Sequence, residues 1–160
     1  MPNMGDPVNA IMVDDKVAKG PGKILTFDST NNKVDLSAAT EVAIGISAGE
    51  SERAAGGAYD ITAPTVSFYP LGGALYVQAL NNELYTTGCT VYVGADGLAT
   101  VTQGSNKKLG LYIGPGLLAA SHSTLSDNGA GDQVTVAGVS GTSETEGVMV
   151  LVMTAGAAIA

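Results

Sequence analysis

The chain has 160 residues, of which 22 are glycine, 14% are charged and none is tryptophan, and its mean hydropathy is +0.24. Fifteen acidic and seven basic residues give a formal net charge of −8, which would repel a phosphate backbone and excludes nucleic acid as an expected partner. Surfaces poor in long charged side chains are typical of contacts between proteins, because ordering and desolvating such side chains costs free energy.

The cysteine count and the two ends bear on the expected compartment. Cys89 is the single cysteine, so no internal disulfide can form. Residues 1–10 are neither basic nor apolar enough for a signal peptide, and the apolar run over residues 148–160 is shorter than the about 20 residues that a membrane span needs. We therefore expect a chain that is made in a cytosol and does not enter a membrane.

Residues 1–20 have no clear hydrophobic period, and we expect them to form an extended N-terminal arm ahead of a β domain over residues 21–160. Such an arm is either free in solution or ordered by a neighbouring subunit. The basic residues concentrate in the first third of the chain, among them Lys16 and Lys19. A solvated acidic surface explains this distribution, and an acidic partner for the first third is the alternative.

A β-meander is predicted over residues 22–47. An extended run from Ile24 to Asp28 is followed by a turn over residues 29–32, whose side chains can bond their own backbone. A second extended run holds Val34 and Leu36, and a third covers residues 41–47 and contains Gly45. A glycine inside a strand usually marks a bulge or a close backbone approach.

The middle of the chain is predicted to form short strands. Residues 49–57 are expected to form a loop with at most a short helix, and strands are expected over 58–62 and 65–68, on either side of Pro64. The segment 70–73 is a predicted turn. Residues 74–80 and 83–86 are predicted strands, separated by an Asn-Asn turn.

A second meander is predicted over residues 89–113. Its first two strands are joined at Asp96-Gly97, a pair that accepts the positive φ of a tight hairpin turn. Its third strand contains Gly110 at the place that Gly45 holds in the first meander. The shared layout of the segments 22–47 and 89–113 predicts an internal duplication.

Beyond the second meander, residues 115–126 contain a helix-compatible run that is too short to be stable alone, and a strand is predicted over residues 133–139. Residues 147–154 lack alternation, which predicts a strand that is buried on both faces. Roughly ten short strands with frequent turns indicate an all-β fold, a single-domain β-sandwich or barrel.

No residue set predicts catalysis. The single histidine, His122, is flanked by serines on its own loop, whereas a catalytic triad brings its groups from separate elements. Hard oxygen ligands occur at Asp14-Asp15 and around Asp127 and Asp132, but neither has EF-hand spacing, and polar turns explain both. We expect no catalytic residue, no metal site and no cofactor.

Adhesion remains as the expected activity, and the candidate contact residues are flexible apolar side chains near the ends, basic residues of the arm and an aromatic turn. Aromatic residues beside small ones provide contact area at low entropic cost, although ordinary core packing is the alternative for each of them. The candidates are Met4, Val8, Ile11, Met12, Lys16, Lys19, Phe68, Tyr69 and Leu71.

The second meander resembles the small capsid decoration, or cement, proteins of tailed bacteriophages, which share a motif that reads VY, DG, VT, a lysine and a glycine. The matching residues are Val91-Tyr92, Asp96-Gly97, Val101-Thr102, Lys107 or Lys108, and Gly110. This resemblance covers about a quarter of the chain. The arm ahead of Lys23 and the long C-terminal half depart from the smallest members of the family.

The resemblance implies a β-rich structural protein of the virion, often a homotrimer, that is assembled in the host cytoplasm. It would bind the outer surface of the assembled head and clamp adjacent copies of the major capsid protein. Two alternatives from other classes stay open: a carbohydrate-binding or adhesive β-sandwich, and a hydrolase that uses two carboxylates.

Overall fold

The structure, a computed structural model, describes residues 6–13, 18, 20–49, 65–80, 83–115, 123–127, 133–138 and 149–155. These residues form thirteen β-strands and one 3₁₀ turn at Ala95–Gly97, so the predicted all-β class is confirmed. The first seven strands are β1 Val8–Ile11, β2 Ile24–Asp28, β3 Lys33–Leu36, β4 Ala43–Ser47, β5 Thr65–Pro70, β6 Gly73–Gln78 and β7 Leu84–Thr86. The remaining six are β8 Thr90–Val93, β9 Ala99–Thr100, β10 Lys108–Pro115, β11 Ser123–Asp127, β12 Gln133–Gly138 and β13 Met149–Thr154.

Strands β1 to β5 form the first unit, an antiparallel sheet in the order β1-β5-β4-β2-β3. Its two outer strands meet, because Met12 makes an isolated parallel bridge with Val34 and the Val13 amide donates to the Val34 carbonyl at 2.9 Å. The sheet therefore curls round on itself and encloses a buried apolar cluster. That cluster consists of Met12, Ala18, Leu25, Val34, Leu36, Val66 and Phe68.

Strands β6, β13, β10, β8 and β9 form the second unit, an antiparallel sheet in that order. Here too the outer strands meet, at an isolated parallel bridge between Ala79 and Ala99, with the Leu80 amide donating to the Ala99 carbonyl at 2.7 Å. Both sheets thus join their own edges at one end, which removes exposed strand edges there. The apolar residues enclosed by the second sheet include Leu75, Val77, Val91, Val93, Ala99, Leu109, Val150 and Val152.

The two units share strand order and register. Gly45 pairs with Leu25 on one side and Pro70 on the other, and Gly110 pairs in the same way with Val91 and Thr154. The closing bridges match as well, since Met12 follows β1 as Ala79 follows β6. The predicted similarity of the two meanders therefore extends to β1 with β6 and β5 with β13. Whether it arose by duplication stays a prediction.

Gly45 and Gly110 lie at the same irregularity in their sheets. The register shifts between Leu25 and Thr26 opposite Gly45, and between Lys108 and Gly110 in β10. A Cβ at Gly45 would overlap the Phe68 ring and lie 2.6 Å from the Tyr69 carbonyl oxygen. A Cβ at Gly110 would overlap the Met153 carbonyl and lie 2.9 Å from the Thr154 Cα. The predicted close backbone approach is confirmed in both units.

The Asp96-Gly97 reversal has the predicted backbone conformation. Both residues lie in the left-handed region, with φ of 56° at Asp96 and 70° at Gly97. Gly97 also has a packing constraint, because an added Cβ would lie 2.9 Å from the Ile24 carbonyl oxygen of the first unit. The turn therefore both joins β8 to β9 and contacts the other unit.

A third, three-stranded sheet has the order β11-β12-β7, with all pairs antiparallel. The predicted strands over 65–68, 74–80, 83–86 and 133–139 are present with slightly different ends. The run over residues 115–126 that is helix-compatible in sequence is not helical over residues 123–126, which belong to β11 and pair with β12. The predicted strand over 58–62 lies outside the described residues.

Two other predictions need correction. Strand β13 is central and bonded on both sides, but it is buried fully on one face only: Val150 and Val152 are buried, whereas Met153 is exposed. In the predicted arm, β1 pairs with β5, so residues 8–11 form an outer strand of the first sheet. The boundary of the folded part therefore lies ahead of Val8.

The close approach at the two strand glycines predicts a large loss of stability on substitution. Gly110→Ala and Gly45→Ala should each lower the free energy of unfolding by about 3 kcal/mol, because the added methyl group meets backbone that cannot rotate away. Chemical denaturation measures this change. Gly49→Ala is the matched control, since its Cβ would meet no atom within 4 Å, and equal unfolding midpoints for all three variants would contradict the assignment.

Candidate interaction surfaces

Exposed apolar side chains are the most prominent surface feature of the described residues. Nine large apolar side chains are exposed there, in a chain whose charged fraction is low. They are Val8, Ile11, Phe27, Val42, Tyr76, Leu84, Leu111, Ile113 and Met153. Single exposed apolar residues are ordinary, but neighbouring ones mark surfaces that contact other molecules.

The contact between the two units, here called the junction, shows how this fold covers such a surface. Ile24, Ile46 and Tyr69 lie side by side across β2, β4 and β5 on the outer face of the first sheet. They pack against the apolar residues that the second sheet encloses, and we call the buried cluster that these residues form together the main cluster. The junction also contains backbone hydrogen bonds, from the Gln78 amide to the Gly22 carbonyl at 2.8 Å and from the Gly97 amide to the Ser37 carbonyl at 3.0 Å.

The side chain of Gln78 adds a polar contact to the junction. Its Nε2 donates to the Pro21 carbonyl at 2.7 Å, and the residue is buried. Beside it lies a half-open pocket of about 120 Å³ that is lined mainly by apolar atoms from both units, including Ile46, Tyr69, Leu75 and Met149. The junction is therefore closely packed around Gly22 and leaves a small apolar pocket at its edge.

The outer face of the second sheet carries a similar row without a cover. Thr90, Leu111 and Met153 lie side by side across β8, β10 and β13, and Met153 also pairs with Ala74 of β6. Leu111 and Met153 are exposed, and so are Ile113, also on β10, and Tyr76 on β6. The resulting apolar surface spans the three adjacent strands β6, β13 and β10, and we call the row Thr90–Leu111–Met153 the second-sheet row.

Two smaller groups lie on the first unit. Val8 and Ile11 are exposed on β1, an outer strand. Phe27 and Val42 are exposed near each other, because Thr26 pairs with Ala43 and its hydroxyl donates to the Val42 carbonyl at 2.9 Å. The first group lies on the outer strand β1, whereas the second lies at the β2–β4 pair inside the sheet order.

The main polar network of the described residues holds the segment after β9. The Glu83 carboxylate accepts hydrogen bonds from the Val101 amide at 2.9 Å, from the Thr100 hydroxyl and from the Thr102 hydroxyl at 3.3 Å. The buried Tyr85 hydroxyl donates to the Ala99 carbonyl at 3.1 Å. Every one of these groups has a partner within the fold, so the network positions backbone.

The structure places the candidate contact residues differently from one another. Val8 and Ile11 are exposed, as a contact surface requires. Met12 is fully buried in the first cluster and Phe68 also lies there, so these two side chains contact their own unit. Tyr69 and Leu71 are partly buried against the main cluster, and Met4, Lys16 and Lys19 lie outside the described residues.

Sequence reasoning did not single out Leu111, although the signal was present. Leu111 follows Gly110 as Ile46 follows Gly45, so the positions of Ile46 and Leu111 are equivalent. Sequence alone gives no reason to expect one of them buried and the other exposed. That difference arises from the single junction.

Neither a membrane segment nor a metal-ligand cluster emerges from the part of the chain that the structure describes. No helix there is long and apolar enough to cross a bilayer, and no three His, Cys, Asp or Glu side chains converge. Comparison with protein-family models, with curated proteins and with solved structures gave no match for this chain.

Burial of Tyr85 predicts a pH dependence of stability. Burial, and secondarily the nearby Glu83 carboxylate, raises the pKa of Tyr85 above its ordinary value of 10.0. The folded state therefore keeps this proton when the unfolded state loses it. The stability that the neutral hydroxyl contributes is complete below about pH 10 and falls by about 1.4 kcal/mol for each pH unit above it.

Tyr85→Phe removes this titration at the cost of one hydrogen bond. Its free energy of unfolding should run parallel to that of the wild type between about pH 7 and about pH 9 and decline less steeply above about pH 10. Urea denaturation over a pH series measures both curves. Parallel curves at high pH would show that Tyr85 ionises equally in the folded and unfolded states.

Proposed function

We propose that this chain is a structural protein of a phage virion, a capsid decoration or cement protein that binds the outer surface of the assembled head. It would stabilise contacts between neighbouring copies of the major capsid protein. The observation that carries the proposal is the exposed apolar β-surface of a chain with few charged residues. Such a surface favours protein partners over small polar substrates.

In the meander that resembles the decoration family, the matching residues help to build the fold. Val91 is buried in the second unit, Asp96 and Gly97 form the left-handed turn, and Gly110 makes the close approach to β13. Lys108 pairs with Tyr92 next to that glycine and is exposed. The resemblance thus rests on residues that build the second unit, and it supports the proposed role through the fold that they imply.

Phe27 and Val42 are the described residues that we assign to the shell. They are exposed and neighbouring, and they lie apart from the junction and from the second-sheet row. Aromatic side chains such as Phe27 are enriched in contacts between proteins. The basic residues of the predicted arm, Lys16 and Lys19, and Met4 are the other candidates, and they lie outside the described residues.

The shell contact predicts that Phe27→Ser weakens binding to heads. The expected loss of affinity is about tenfold, the effect of truncating a contact residue worth about 1.4 kcal/mol. Co-sedimentation with shells assembled from the candidate major capsid protein measures it. Leu84→Ser is the matched control, because Leu84 is also a large exposed apolar residue but lies on β7 of the third sheet.

Wild-type protein that fails to sediment with these shells would refute the proposed function. A glycan array incubated with the same protein tests the carbohydrate-binding alternative, and affinity for a glycan without affinity for shells would replace our proposal by that one. A test that truncates the N-terminal arm can remove residues only up to Asp6, because removal of β1 and Met12 would open the first sheet.

A further inference from the structure

The matched registers of the two units identify equivalent residues, and these differ sharply in exposure. Counting from Gly45 and Gly110, Ile46 is equivalent to Leu111 and Tyr69 to Met153. Ile46 is 1% exposed because the second unit covers it at the junction, whereas Leu111 is 41% exposed and Met153 45%. The second unit therefore presents the same row that the first unit buries.

On the opposite side of the junction the residues of the second unit are buried and their equivalents in the first unit are exposed. Leu75 and Gln78 of β6, which are 2% and 1% exposed, lie on the side of the second unit that meets the first. Because Val8 pairs with Phe68 as Leu75 pairs with Val152, their equivalents in β1 are Val8 and Ile11. Val8 is 46% exposed and Ile11 53%. The first unit thus presents the surface that the second unit buries.

The backbone of the uncovered row also matches the junction. The Gly22 carbonyl accepts the Gln78 amide at the junction, and the Gly22 amide donates to the Ser47 carbonyl at 2.8 Å. In the second unit the Gly88 amide donates to the Tyr112 carbonyl at 2.8 Å, and Tyr112 is the equivalent of Ser47. Gly22 and Gly88 both have positive φ, 93° and 86°. Gly88 therefore offers its carbonyl where Gly22 does.

We propose that copies of this chain associate head to tail, with the second-sheet row of one copy covered by the β1 surface of the next. The contact repeats between molecules the junction that already joins the two units within one molecule. Leu111 and Met153 of one copy take the places of Ile46 and Tyr69, and Val8 and Ile11 of the next copy take those of Leu75 and Gln78. The partner is a second copy of this chain, and the proposal does not rest on the proposed function.

The two surfaces complement each other in chemistry as well as in position. The junction buries Gln78, whereas its equivalent Ile11 is apolar, so the contact between copies brings together the apolar Leu111, Met153, Val8 and Ile11. Such a contact joins two different surfaces, so each copy keeps one of each kind available for a further copy. Contacts of this kind produce a closed ring if the rotation between copies closes and an open filament if it does not.

Two single variants test the head-to-tail geometry. Leu111→Arg places a charge in the second-sheet row and leaves the β1 surface unchanged, whereas Ile11→Arg places a charge on β1 and leaves the second-sheet row unchanged. Both sites are exposed enough to accept the longer side chain. Analytical ultracentrifugation over a dilution series should show wild-type assemblies larger than a dimer and each variant as a monomer. An equimolar mixture of the two variants should give a heterodimer of twice the monomer mass and nothing larger.

The mixture separates this proposal from its competitors. Formation of the heterodimer also shows that both variants are folded, because each must supply one intact surface. Leu84→Arg is the control and should assemble as the wild type does. A monomeric wild type, assembly of the Ile11→Arg variant by itself, or a mixture that stays monomeric while both variants unfold at the wild-type temperature would each overturn the proposal.

Discussion

Close contact between backbones at Gly45 and Gly110 is the constraint on which each unit depends. At these positions the third strand of the meander approaches the next strand so closely that a β-carbon would overlap its backbone or an aromatic ring. The register shift beside each glycine adds local twist, which helps a five-stranded sheet to curl until its outer strands meet. Short, joined edges in turn remove the unpaired backbone groups through which sheets aggregate.

The junction follows from this geometry and occurs once among the residues that the structure describes. Burying a side chain such as Ile46 or Leu75 contributes about 1.5–3 kcal/mol each, and the backbone hydrogen bonds around Gly22 and Gly97 satisfy the polar groups that are buried with them. A chain of two similar units has one internal contact and two outer surfaces of the same type. Repeat proteins usually cover such outer surfaces with polar capping segments. Here Val8 and Ile11 at one end and Leu111 and Met153 at the other are apolar.

The surfaces assigned to the shell and to sister copies are separate, so one molecule can bind the shell and sister copies at the same time. Neighbouring copies on a particle would then be linked to each other as well as to the shell. Linked binding events raise the effective concentration of each subsequent contact, so weak individual contacts can give stable occupancy. A small protein without a charged coat is suited to this kind of cooperation, because little desolvation of charge opposes each contact.

Local chemistry made much of the fold predictable from the sequence. Glycine and aspartate mark the turn at Asp96-Gly97, alternation marks β6 and β8, and the paired positions of Gly45 and Gly110 indicate two related meanders. Each of these signals concerns residues that are close in the chain, where backbone sterics and side-chain period act directly. The short helix-compatible run before Asp127 misled the prediction, because pairing with β12 decided the conformation there.

Tertiary structure alone decided which apolar residues became surface. Ile46 and Leu111 follow equivalent glycines and have similar side chains, yet one is buried by the second unit and the other is exposed. Met12 belongs by its position to the predicted arm. It is buried because β1 joins the first sheet and because Met12, the residue after β1, forms the bridge to Val34 that closes this sheet. The sequence determined the two units and their turns through the local preferences of neighbouring residues. The exposure of a side chain depends instead on which unit lies against which, because that contact joins residues that are distant in the chain.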